Sequence, residues 1–80
     1  MEAPATPTPV QKVVAYNASG ERVLTLVIAM DERGWIVQLE DQDGVHRLRY
    51  LVKEEDAAFR GFYGRIARLA LSGYRVVEER

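Results

Sequence analysis

The spacing of apolar side chains changes once along this chain. Up to about residue 52, apolar and polar positions alternate with period two; beyond it, apolar residues recur at three and four positions. The first nine residues follow neither rule. They hold all three prolines, Pro4, Pro7 and Pro9, among alanines and threonines. A segment so poor in apolar surface cannot offset the entropy of ordering it. We read residues 1–9 as a disordered tail and residues 10–80 as one small domain.

The alternating region predicts four strands, over residues 10–16, 22–30, 35–41 and 45–52. The short connections between them end in Gly20, Gly34 and Gly44, and glycine tolerates the positive φ that hairpin loops demand. Strands joined so closely form an antiparallel meander. A two-residue Asp43-Gly44 turn sets Leu39 against Leu48, Val37 against Tyr50 and Trp35 against Val52. The other face then pairs Glu40 with Arg47 and Gln38 with Arg49, and places His46 across from Asp41. A loop over residues 31–34 sets Met30 against Trp35, Ile28 against Val37 and Leu26 against Leu39. Both loops select the same core face, and a slip of one residue in either would mix apolar with charged side chains. The first hairpin accepts a Ser19-Gly20 turn or a four-residue loop equally well.

A helix follows. Glu54, Glu55 and Asp56 put negative charge at its start, while Arg65 and Arg68 put positive charge toward its end, as the helix dipole favours. Gly73 suits the position just past the last turn. Phe59, Phe62, Tyr63, Ile66, Leu69 and Ala70 share one side and form the face that packs on the sheet. Residues 74–78 alternate weakly and make a candidate fifth strand, which would add to the sheet edge, cross to a partner or fray. The expected fold is α+β: a four-stranded antiparallel β-meander, one amphipathic helix packed on one sheet face, and a candidate short fifth strand at the C-terminus.

Composition narrows the function classes. The chain has 80 residues, a formal net charge of −1, 48% hydrophobic and 29% charged residues, which is ordinary for a globular domain. It contains no cysteine, which excludes disulfide scaffolds, cysteine-bound zinc, iron–sulfur clusters and thiol catalysis. No stretch resembles a secretory signal, and the longest apolar run, about residues 26–30, is far shorter than the roughly 20 residues of a membrane span. The expectation is a cytoplasmic protein with no membrane contact.

Catalytic material is sparse. His46 is the single histidine, and its expected place is a solvent-facing hairpin end. Ser19 and Ser72 fall at a turn and a helix end, not in a nucleophile elbow. No phosphate-binding glycine loop or zinc-binding helix motif is present. The acidic run at Asp41 and Asp43 lacks the downstream glutamate of a calcium loop. We expect no enzyme, no metal and no cofactor.

Two surfaces are less ordinary. Among the outer-face positions, Ala29, Ile36 and Leu51 form an apolar row beside Val27, whereas a solvated face is usually polar. On the helix, Gly61 and Gly64 project to the side opposite Phe59, Phe62 and Ile66. An interior helical glycine costs about 1 kcal/mol relative to alanine, so a glycine floor there suggests a close-approaching partner. A helix interrupted at these glycines, or a C-terminal segment folded over them, explains the pattern as well.

The expected function is a small non-enzymatic interaction module. It would self-associate, or bind another protein, through Val27, Ala29, Ile36, Leu51, Gly61 and Gly64. The chain also carries nine arginines against two lysines, and the guanidinium fork suits phosphate. The alternative is therefore a small nucleic-acid-binding regulator using Arg47, Arg49, Arg60, Arg65 and Arg68, although a net charge of −1 gives it little long-range attraction. On the interaction reading, Ile36→Asp is expected to break association and leave the protomer folded.

Overall fold

The computed structural model describes residues 7–44 and 46–79, with only the backbone of residues 46 and 47. Five strands and one helix follow in the order β1 (Thr8–Tyr16), β2 (Arg22–Asp31), β3 (Gly34–Asp41), β4 (His46–Val52), α1 (Glu55–Leu71) and β5 (Arg75–Glu79). The strands form one antiparallel sheet in the order β4-β3-β2-β1-β5. The α+β meander with a helix packed on it is thus present, and the fifth strand is a full member that pairs with β1 of its own chain. The first six residues of the expected tail lie outside the described residues. The last part of it does not remain a tail: Thr8 and Pro9 open β1, opposite Met30 and Ala29. Pro9 has no N–H to give the ladder, and the pairing shifts by one residue directly after it, between Pro9 and Gln11.

The second and third hairpins hold the expected core register. Met30, Ile28 and Leu26 face Trp35, Val37 and Leu39, and the last three face Val52, Tyr50 and Leu48. Gln38 faces Arg49 as expected, but Glu40 faces His46, not Arg47, and His46 therefore does not stand across from Asp41. The turn chemistry explains the difference. Gly44 donates its N–H to the carbonyl of Asp41, and the Asp43 N–H bonds the Asp41 carboxylate at 2.9 Å. Within residues 41–44 only Gly44 has positive φ (78°), so the turn ends in a left-handed glycine. A type I′ turn would need positive φ at Asp43 as well. Such a loop adds one residue to one strand, and the ladder skips residue 47. Val45, the expected first residue of the strand, lies outside the described residues.

The first hairpin resolves into a five-residue connection. The Asn17 side chain accepts the N–H groups of Ser19 and Glu21, both at 3.0 Å, and pairing resumes at Tyr16 and Arg22 across a bulge. In the second loop the Asp31 carboxylate accepts the Arg33 N–H and guanidinium, each at 2.8 Å. The guanidinium bond, first, and the backbone bond hold the Asp31 pKa below the usual carboxylate value.

Helix α1 starts with Glu55 and Asp56 in its first turn and ends in a Schellman arrangement. The Gly73 N–H bonds Ala70 and the Tyr74 N–H bonds Leu69. Gly73 has φ 95°, and the chain leaves the helix directly into β5. The helix continues without a break through Gly61 and Gly64. Its Ala58 and Phe62 are fully buried against Val13, Leu26, Ile28 and Val37. Trp35 packs edge-on to Phe59 at 5.4 Å between centroids. Tyr63, expected in the core, is half exposed. It stacks on Phe59 and its hydroxyl donates to the Gln11 side chain.

Gly34 has a double constraint. Its φ is 138°, and a Cβ there would lie 2.9 Å from the Val52 carbonyl oxygen, where the chain leaves β4. Gly20 also has positive φ (81°) but faces open space. Alanine at Gly20 is expected to cost about 1 kcal/mol, from the left-handed backbone alone. Alanine at Gly34 is expected to cost about 2–3 kcal/mol, because strain and overlap combine. Urea unfolding of the two variants checks this, and equal losses would contradict the close approach at Val52.

Candidate functional site

The helix covers one face of the sheet. The other face carries the row Pro9, Ala29, Ile36, Leu51, paired across β1, β2, β3 and β4. The next row is Glu79, Lys12, Val27, Gln38, Arg49 and crosses all five strands. This face divides into two halves of different character. On the β1–β5 side, the Arg22 guanidinium bonds the Thr25 hydroxyl at 3.0 Å and lies 4.0 Å from Glu79, which pairs with Lys12 at 3.2 Å. Arg75 stacks over the Tyr16 ring. Under these long polar side chains Val14 and Thr25 are buried. Toward β3 and β4 the polar side chains are Gln38, which donates to Glu40 at 2.7 Å, and Arg49. A groove of about 370 Å³ crosses this face from β1 to β4, with Val27, Ala29 and Ile36 in its lining, Pro7, Pro9 and Lys12 on the β1 side and Gln38, Glu40 and Arg49 on the other.

Burial sorts the four outer-face residues. Leu51 is 46% exposed on the rim, and Val27 is half-buried. Ala29 and Ile36 are only 7% and 4% exposed. They shape the groove floor rather than offering a free surface. The expectation for Ile36→Asp therefore changes. A carboxylate at a site already closed by the protomer carries its own desolvation cost, so that variant tests folding as much as association. Position along a strand gives the face of a residue; how far its neighbours close over it depends on side chains from three strands at once.

The helix flank also differs from its projection. Gly61 does not face away from the sheet. A Cβ there would sit 2.5 Å from the Tyr50 hydroxyl oxygen, while a Cβ at Gly64 would meet nothing within 4 Å. Neither an interrupted helix nor a folded-back C-terminus accounts for Gly61. The cover is the tyrosine of the edge strand β4, which reaches up the side of the helix. Arg65 lies over the same ring, 5.8 Å from its centroid.

Around these residues a cleft of about 220 Å³ opens between α1 and β4, lined by Tyr50, Arg60, Gly61, Gly64, Arg65 and Arg68. A smaller hollow with Leu39, Leu69 and Ser72 shares Arg65 and Arg68 with it. The arginines of the nucleic-acid expectation thus separate into groups. Arg60, Arg65 and Arg68 gather in this cleft. Arg49 stands on the opposite sheet face. The side chain of Arg47 lies outside the described residues. Tyr50 joins the cleft although its register assigns it to the core; its ring packs on the core while its hydroxyl reaches Gly61.

Fold and surfaces together define a two-layer α+β domain with a groove across its outer face and one cationic flank. Among the described residues no group of three or more His, Asp or Glu side chains is placed to hold a metal ion, and no helix is long and apolar enough to cross a membrane. The chain matches no protein-family model, no curated protein and no solved structure.

The glycine geometry can be tested by a cycle. Gly64→Ala is expected to stabilise the protein by about 1 kcal/mol, the helix-propensity difference alone. Gly61→Ala is expected to forfeit that gain, because its methyl meets the Tyr50 hydroxyl. In a Tyr50→Phe background the nearest ring carbon is 3.7 Å away, so Gly61→Ala should regain about 1 kcal/mol. Thermal or urea unfolding of the four variants measures the coupling; zero coupling would contradict the contact.

Proposed function

We propose that the chain is a small, non-enzymatic interaction module that pairs with a second copy of itself through the grooved outer face of the sheet. The observation that supports this reading is the groove. A floor of Val27, Ala29 and Ile36 crosses the sheet on the side the helix leaves bare, between a rim of Pro7 and Pro9 and a rim of Gln38 and Arg49. Small domains bury little apolar surface for their length, and a second copy supplies what the missing layer would have supplied.

The two sides of this face would also match in a symmetric pair. A two-fold axis lying in the interface, parallel to the strands, lays β4 of one copy over the β1–β5 side of the other. Leu51 on one rim then meets the side of the partner's groove lined by Pro7 and Pro9. The same rotation carries Arg49 to the Glu79 end of its row. Arg49 makes no ion pair within the described part of its own protomer. Another protein with an apolar ridge would use the same groove, but the matched ends favour a second copy.

Light scattering after size-exclusion chromatography is expected to give twice the 9.1 kDa protomer mass, stable over a tenfold dilution. Leu51→Asp is expected to give the protomer mass with stability changed by no more than about 0.5 kcal/mol, as for an exposed site. A wild-type protein that is a single copy at every concentration would contradict the reading.

A further inference from the structure

We propose that the cleft between α1 and β4 is an anion site for a ligand carrying phosphates at more than one position. It lies on the layer opposite the sheet groove and does not depend on self-association. Three arginines, Arg60, Arg65 and Arg68, line it, and among the described residues no carboxylate does. None of the three makes an ion pair among the described residues, although Asp56 precedes Arg60 by one helical turn. The Tyr50 hydroxyl opens into the same space as a further donor. Arginine forks and a phenol are suited to phosphate oxygens.

The arrangement carries costs that the protomer alone does not offset. Three like charges share one flank in a chain whose net charge is −1. Gly64 gives up about 1 kcal/mol of helix propensity and packs against nothing; any larger residue would narrow the cleft between Arg60 and Arg68. Local departures of this kind concentrate at functional sites. Arg60 and Arg68 are eight residues apart, about 12 Å along the helix axis. That span suits a polyphosphate or successive phosphates of an extended nucleic-acid strand better than a single phosphate. The adjoining hollow at Leu39 and Leu69 continues the cleft past Arg68 with apolar side chains.

The full chain is titrated with a labelled oligothymidylate of about ten nucleotides at about 20 mM salt, where phosphate contacts are strongest, and separately with tripolyphosphate by calorimetry. The double variant Arg60→Gln/Arg68→Gln is compared with Arg33→Gln/Arg75→Gln, which removes the same charge elsewhere. Circular dichroism verifies that both fold. The expected result is about tenfold weaker binding for the first pair and less than about twofold for the second. Gly64→Asp, which places a carboxylate in open space within the cleft, is expected to weaken binding as the arginine pair does. Site-dependent binding of the oligonucleotide assigns the phosphates to a nucleic-acid strand; site-dependent binding of tripolyphosphate alone assigns them to a small polyphosphate. No binding of either probe, or equal losses in the two double variants, overturns the proposal.

Discussion

One helix has to serve a five-stranded sheet. Seventeen residues make a rod about 25 Å long, enough to cross a sheet five strands wide, but only on one side. The core forms where the rod lies: Phe62 and Ala58 against Val13, Leu26, Ile28 and Val37, with Trp35 and Phe59 closing one end. Everything on the reverse of the sheet must be covered by the sheet's own side chains or left open. Half of it is covered, because Arg22, Lys12 and Glu79 are long enough to fold over Val14 and Thr25. Elsewhere on that face Val27, Ala29 and Ile36 form a floor between Pro9 on one side and Gln38 and Arg49 on the other, and a groove results.

The same helix explains the cationic flank. With Phe62 directed at the centre of the sheet, the next side of the helix meets the edge strand β4, whose Tyr50 is too large to lie flat beneath a helical side chain. Gly61 removes that side chain, and the tyrosine hydroxyl enters the space. The arginines at positions 60, 65 and 68 surround this contact. A packing solution at the edge of the core has therefore also produced a hydroxyl at the floor of a guanidinium-lined cleft. Gly64 stands apart from this account. No packing contact explains it, and its one evident effect is to leave the cleft open.

Much of the architecture was legible from residue spacing, for identifiable reasons. Strict alternation on both sides of Gly34 and Gly44 left one core register for β2, β3 and β4, and charge placement with Gly73 marked both helix ends. The apolar row Ala29, Ile36, Leu51 followed from those registers. What escaped was information that spacing does not carry. Val13, Val14 and Ala15 are all buried, so β1 shows no alternation; it is an interior strand, covered by the helix on one face and by the Arg22 cluster on the other. The residue skipped opposite Glu40 depends on the left-handed Gly44. The depth of Ile36 depends on neighbours in adjacent strands. Gly61 was misplaced because a helical projection assumes a flat surface below it, whereas Tyr50 rises beside the helix. The grouping of Arg60, Arg65 and Arg68 was visible in the helical period, and their separation from Arg49 followed from the register that pairs Arg49 with Gln38 on the outer face.

The central claim is that the grooved outer face of the sheet is covered by a second copy. Isotope-filtered NMR on a mixture of labelled and unlabelled protein tests it most directly, since it detects only contacts between copies. The account predicts cross-peaks from the Leu51 methyls of one copy to Pro9 and Ala29 protons of the other. Intermolecular contacts confined to α1, or none at concentrations where the protein is fully folded, would contradict it.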